Sequence, residues 1–295
     1  KKGVSIVKAT ILVHTACDSR IFMFSGSIKH VDLRATINFM NFYHKIRNQI
    51  CTVELQDTSG TNTIDETFCR GLRDFIDTMQ WDPDIRVWII TSNTPNVFST
   101  GRHSFEQDDS ISFSEMQREI EALQISKNIS EIPAPVIIAI DGEVSDHGLE
   151  MALAGDLRLV TDVSTFSINA NQTNFPWDNG IPMLISTVGR SLANDMLYTH
   201  RILSASEALA AGLATRITTR TEFLGQLEYI TDNLKSLSPS SLKFIKEAVK
   251  TGASLPFTAA LNFEGDLSVL LQSTEDRSEG LRAFFQKRRA KFTGD

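Results

Sequence analysis

Two residues stand out for their chemistry. His147 and Glu150 are three positions apart, so on a helix they share one face. Glu150 lies among Met151, Ala152, Leu153 and Ala154. Partial burial there would raise its pKa into a range useful for moving protons. Gly148 opens a short helical stretch running to Ala154, and a helix start presents free N–H groups with a positive dipole end. A carboxyl, an imidazole and a helix N-terminus together would suit proton transfer beside a developing negative oxygen. The bland readings are a satisfied structural histidine and a solvated glutamate.

Two further stretches supply polar or permissive backbone. Phe98-Ser99-Thr100-Gly101 reads as a turn whose glycine allows close approach of a ligand to the chain. His103 follows, either touching a ligand or filling the loop. Asp178, in Asp178-x-Gly180, is either a second acid or a surface-turn aspartate.

The elements that must position these groups follow from periodicity. Ile50–Leu55 reads as a strand, and the Ser59–Asn62 turn leads to Thr63-x-x-Glu66, a capping box. The next helix carries Ile64, Phe68, Leu72, Phe75, Ile76 and Met79 on one face, and Pro83 lies beyond it. Val87–Ile90 and Val136–Ile140 are continuous apolar runs, as in strands covered on both faces. Between them, Ser114-x-x-Gln117 opens an amphipathic helix with Met116, Ile120, Leu123 and Ile129, closed by Pro133 and Pro135. Leu157–Val160 and Thr165–Ile168 are short strands. From Ile181 the pattern is helical: a Ser204-x-x-Glu207 capping box before Ala205–Ala211, a helix after Ser238-Pro239 ended by Gly252, and two closing helices near Pro256–Gln272 and Glu275–Lys291. Residues 1–48 hold short β-prone runs and a helical pattern near Leu33–Ile46. Strands alternating with helices, followed by helices alone, give an α/β core with a helical C-terminal part.

The chain has 295 residues, 41% hydrophobic and 22% charged, which fits one large folded domain or one domain with an added subdomain. A formal charge of −7 disfavours nucleic acid and anionic membranes as partners. Cys17, Cys51 and Cys69 match no zinc or redox spacing, so reduced thiols in a cytoplasmic protein are expected. No segment reads as a membrane span or signal peptide. The chain opens on Lys1, which leaves room for a trimmed organelle-targeting segment.

Three stretches resemble the crotonase (enoyl-CoA hydratase/isomerase) superfamily. Asn96-Val-Phe-Ser-Thr-Gly101 resembles its Phe-small-small-Gly loop. Pro135-Val-Ile-Ile-Ala-Ile-Asp-Gly142 with Glu150-Met-Ala-Leu-Ala-Gly-Asp156 is similar to its "KPVIAAVNG…GGG.ELA..CD" segment. Arg201–Leu213 is similar to "R.ISA.EA...GLV", and Asp276-Arg277-Ser-Glu-Gly280 resembles the closing helix. The likeness covers roughly residues 49–292. It implies a repeated ββα spiral over 49–220 and a C-terminal helical region, 221–295, that builds homotrimers or hexamers. Residues 1–48 form an N-terminal extension to that fold.

The resemblance also implies roles. The Thr100 N–H and the His147 N–H or imidazole would hold an enolate oxygen, with Phe98, Gly101, His103 and Gly148 against the substrate. Glu150 matches one of two hydratase glutamates. The position of the other falls near Asn169 or Ala170, leaving Asp178 as its replacement, similar to an acid of dienoyl-CoA isomerases. Phe284 and Lys287 match positions that cover the CoA adenine and contact phosphate. No metal and no cofactor beyond the substrate's own CoA is implied. Asp146 and His147 stand where the family commonly has glycines, and His147 can give its N–H if φ stays negative. An Asn-His pair there is a feature of alicyclic β-diketone hydrolases. Hydration or dehydration of an enoyl-CoA, double-bond isomerisation, retro-Claisen hydrolysis of a β-diketone, and a degenerate binding or assembly role are the competing functions.

Overall fold

The computed structural model describes residues 42–56, 59–100, 112, 114, 121, 124–169 and 180–295. It opens with a hairpin. Strand β1 (Phe42–Arg47) pairs antiparallel with β2 (Ile50–Leu55) across Asn48 and Gln49, whose φ values of 50° and 65° make the tight turn that suits strand twist. The helical pattern expected up to Ile46 is therefore corrected over 42–46. Pairing with β2 buries Phe42 against Phe68 and Phe75, a non-local gain that outweighs local periodicity. The boundary drawn after residue 48 falls within this turn.

Helix α1 (Glu66–Met79) follows, with Phe68, Leu72 and Ile76 buried on one face. Its cap is Asp65, whose carboxylate accepts the Phe68 N–H at 2.7 Å. The expected Thr63 capping box is not formed, since the Thr63 hydroxyl pairs with that of Thr61 at 2.7 Å.

The chain then repeats a strand, a strand and a helix. Strands β3 (Val87–Ser92) and β4 (Val97–Ser99) precede α2 (Ser126–Glu131), and β5 (Val136–Ile140) and β6 (Glu143–Ser145) precede α3 (Asp146–Ala154). Strands β7 (Leu157–Thr161) and β8 (Thr165–Ser167) precede α4 (Gly180–Val188) and α5 (Arg190–Thr199). Each turn sends one strand to each of two sheets, which is the ββα spiral. Then come β9 (Leu203–Ser204), α6 (Ala205–Ala210) and β10 (Arg216–Thr218). One sheet has six strands in the order β1-β2-β3-β5-β7-β10, and the other has four, β4-β6-β8-β9. Of the expected 114–129 helix, positions 114 and 121 are helical, but 124–125 are not, so the buried Ile129 belongs to a separate helix, α2.

The six-stranded sheet is apolar on both faces. Trp88, Ile90, Ile138, Ile140 and Val160 point into the main core beside α1 and α3. Val87, Ile89, Ile137, Ala139 and Leu159 face the other way, under Phe223 and Ile230 of α7 (Phe223–Lys235). Each valine, leucine, isoleucine or phenylalanine among them contributes about 1.5–3 kcal/mol by leaving water. The uninterrupted runs of β3 and β5 follow from this double cover.

Three more helices complete the chain: α8 (Pro239–Gly252), α9 (Phe257–Gln272) and α10 (Glu275–Phe285). Helix α8 is tied to the sheet by Lys246, whose ammonium meets Asp156 at 2.7 Å, while Asp156 also accepts the Val136 N–H at 2.7 Å. The closing helix is shorter than expected. It stops at Phe285, Lys287 takes φ 50°, and the tail turns back. Glu279 draws the tail in by pairing with Arg288 and accepting the Lys291 N–H at 2.8 Å. These partners hold the Glu279 carboxyl down to about 2, the Arg288 bonds contributing most. Cys51 and Cys69 are buried free thiols, and burial pushes the Cys51 thiol up. No helix among the described residues is long and apolar enough to cross a membrane.

Candidate active site

The site forms where the second turn of the spiral passes the first. Between β5 and β6, Gly142 takes φ +118°, and a Cβ there would lie 2.0 Å from the Asn96 carbonyl carbon. Only glycine lets the chain cross so close to the loop before β4. The Glu143 N–H then donates to the Asn96 carbonyl at 2.8 Å, locking the two segments in register.

Beyond β6, helix α3 starts against the end of β4. A Cβ on Gly148 would stand 2.5 Å from the Ser99 carbonyl oxygen, so a glycine is required at this contact as well. Ser99 is fixed from behind by Asn62. The Ser99 hydroxyl donates to the Asn62 carbonyl at 2.8 Å. The Asn62 amide donates to the Phe98 carbonyl at 2.9 Å and to the Ser92 hydroxyl at 2.7 Å, and accepts from Thr94 at 3.0 Å. Sequence reasoning did not find this buried asparagine. Its signal was a turn residue preceding a helix, which did not point to the loop it holds 36 positions later.

His147 and Glu150 come together as the three-residue spacing requires. The imidazole Nδ1 lies 2.8 Å from Glu150 Oε2, with His147 8% and Glu150 1% exposed. Glu150 is therefore no solvated surface carboxylate. The His147 N–H belongs to the first turn of α3, where no intrahelical acceptor exists.

Asp146 differs from the expectation for this pair. Its φ is +48°, the left-handed conformation natural to glycine and tolerated by aspartate through its short polar side chain. Its Oδ1 accepts the Asn169 N–H at 2.8 Å, tying the start of α3 to the end of β8. Burial pushes the Asp146 carboxyl up, opposed by the Asn169 amide and the neighbouring His147. Asn169 thus reaches the site, through its backbone.

Thr100 and Phe98 are placed as follows. The Thr100 N–H donates to the Thr61 carbonyl at 3.0 Å, and its hydroxyl reaches the same oxygen at 3.2 Å. This amide is thus held by a carbonyl of the turn before α1. Phe98 is fully buried in the main core, because β4 turns its ring inward. Gly101, His103 and Asp178 lie outside the described residues.

The comparison that decides the family is a match of the enoyl-CoA hydratase/isomerase family model to residues 45–295. The chain belongs to the enoyl-CoA hydratase/isomerase family. A probable mitochondrial enoyl-CoA hydratase 2 of Arabidopsis thaliana is 29% identical over 248 residues, spanning 83% of this chain and 82% of that protein. A trans-2-decenoyl-[acyl-carrier-protein] isomerase of Streptococcus mutans is 27% identical over 267 residues, spanning 88% of this chain and all (100%) of that protein. An enoyl-CoA hydratase structure from Bacillus anthracis superposes with a TM-score of 0.79, covering 86% of this chain and 100% of that one at 22% identity. That likeness establishes the fold, the crotonase spiral.

Within this crotonase chain, Phe284 and Lys287 lie at the C-terminal end, away from the secondary structure that builds the α3 site in sequence. Phe284 is 77% exposed and packs edge-on against Phe285 at 5.8 Å. Lys287 follows the helix in its left-handed turn. Among the described residues, no hydrogen bond or ion pair joins either side chain to His147 or Glu150.

Proposed function

We propose that this crotonase acts on an acyl-thioester, stabilising its enolate while water is added or removed at an enoyl group or the double bond is moved. One observation carries the reading: the first turn of α3, seated on Ser99, places the His147 N–H beside a buried imidazole–carboxylate pair. A helix N-terminus favours a negative oxygen, and preorganised N–H donors in a site shielded from water are the strongest device for an enolate. Glu150 and His147 handle the proton, and Asp178 is assigned as a further acid for the water step.

Phe284 and Lys287 suit the adenine and phosphate of a CoA carrier by stacking and charge. Phe257, Leu261, Val269 and Leu270 stand 50–78% exposed along α9, which supports a homotrimer or hexamer through the C-terminal helices. The compartment assigned is the cytoplasm or an organelle.

The test is turnover of crotonyl-type and 3-enoyl thioesters, followed by the absorbance of the conjugated thioester. Wild type is expected to convert one class, and Glu150→Gln to lower kcat by about 10²–10⁴-fold. Unchanged turnover in that variant removes Glu150 from the mechanism. The imidazole of His147 favours a second reading, retro-Claisen cleavage of a cyclic β-diketone without CoA. Diketone cleavage together with inert thioesters would replace the first reading by the second.

A further inference from the structure

We propose that His147 Nε2 is the atom that takes and returns the proton in this site, and that Glu150 is a positioning residue acting through it. This rests on the enolate reading above and assigns its proton transfer to one atom.

The geometry favours the imidazole. Glu150 Oε2 is already engaged by His147 Nδ1 at 2.8 Å. The carboxylate sits a turn deeper in α3 and is 1% exposed, against 8% for the histidine. Side chains on a helix lean toward its N-terminus, so Glu150 reaches up to the imidazole, and the imidazole lies nearer the helix start where an anionic oxygen would rest. A carboxylate only accepts hydrogen bonds, so Nδ1 carries the proton of the neutral ring. The lone pair is then on Nε2, which makes the ring a base rather than an oxyanion donor. A buried carboxylate that fixes the tautomer and steadies the imidazolium is the logic by which histidine serves as a general base elsewhere.

The step balances. For a 3-enoyl thioester, Nε2 takes the proton from Cα. The C–H electron pair enters the C–C bond toward the carbonyl, and the charge moves to the carbonyl oxygen. The imidazolium, countered by Glu150, trades its proton with solvent and gives one to Cγ, as the Cβ=Cγ pair takes that proton, the Cα=Cβ bond forms and the carbonyl returns in the 2-enoyl thioester. No electrons are gained or lost.

Two measurements test it. Exchange of the substrate Cα hydrogen with deuterated water is followed in wild type, His147→Gln, Glu150→Gln and the double variant. His147→Gln keeps the backbone N–H and is expected to slow exchange by about 10²–10⁴-fold. The double variant should be no slower than His147→Gln, because the two residues act as one unit. Exchange in His147→Gln within about tenfold of wild type overturns the inference and leaves the enolate reading standing. No exchange in wild type across the thioesters overturns both. The second measurement needs no variant to fold: long-range proton–nitrogen NMR of the wild-type histidines should show the neutral His147 ring protonated at Nδ1 with a bare Nε2. A proton on Nε2 of the neutral ring overturns the proposal.

Discussion

Gly148 and Ser99 touch where two turns of the spiral meet, and a Cβ at 148 would sit 2.5 Å from the Ser99 carbonyl oxygen and 2.7 Å from its Cβ. The obstacle is partly backbone, which cannot swing aside. Gly148→Ala must therefore push α3 off β4, at a cost of about 1–3 kcal/mol. Because the His147 N–H moves with the helix, turnover should fall far more than stability does. A variant with a lowered Tm but undiminished kcat would show that the contact does not position the site.

Asp146 joins the start of α3 to Asn169 while holding a left-handed backbone. Burial raises its carboxyl pKa in the folded state. A raised folded value means the folded chain holds the proton more tightly, so this contribution to stability is full below the unfolded pKa and is lost as pH rises through the folded one. Asp146→Asn keeps the acceptor for Asn169 and tolerates positive φ, but never ionises. Its stability relative to wild type should therefore grow as pH is raised from about 4 toward neutrality. Denaturant midpoints measured across that range check it, and a constant difference would contradict the assignment.

Asp276 is 1% exposed and gathers the C-terminal tail. Its carboxylate accepts the Ser238 hydroxyl at 2.7 Å and the N–H groups of Thr293 at 2.9 Å and Gly294 at 3.1 Å. Burial pushes the carboxyl up, but these donors together outweigh it and hold the group below the usual range. For a depressed value the stabilisation is present above the unfolded pKa and is lost as pH falls through the folded one. Asp276→Ala should cost about 2–4 kcal/mol and abolish amide-exchange protection at Thr293 and Gly294. Retained protection there would place the anchor of the tail elsewhere.

Arg158 holds the far end of α3. Its guanidinium is buried and donates to the carbonyls of Leu213 (2.6 Å), Gly155 (2.8 Å) and Ala152 (3.3 Å). Burial pulls its pKa down, with Asp156 opposing. Lysine cannot reproduce that fork. Arg158→Lys should lose about 2–3 kcal/mol and Arg158→Met more, each visible in thermal unfolding. Equal Tm values for Arg158→Lys and wild type would mean that charge alone suffices.

Elements whose cause is local were readable in the residues. The Ser204–Glu207 capping box and the His147–Glu150 pairing depend on neighbours a few positions away, and the structure forms both, while the β3 and β5 runs were legible from their unbroken apolar composition. The family was readable because its motifs recur in a fixed order. The hairpin at 42–55, the true cap of α1 and the early end of α10 were not, since each is settled by a partner with no mark in the local pattern. Asp65 wins over Thr63 because Thr63 is drawn to Thr61, and the closing helix ends early because Asp276 and Glu279 capture the returning tail.

The residue order alone determined that a carboxyl and an imidazole share the opening turns of a short helix, and that this helix sits in a crotonase spiral. Which amides are free to meet a negative oxygen was decided by tertiary contacts. Thr100 spends its N–H on Thr61, 39 positions back, while the His147 N–H stands in the first turn of a helix, which lacks intrahelical acceptors. A backbone N–H has the same chemistry at every position, so only the folded chain, by bringing distant carbonyls near or keeping them away, distinguishes a donor that can serve a ligand from one that is already used.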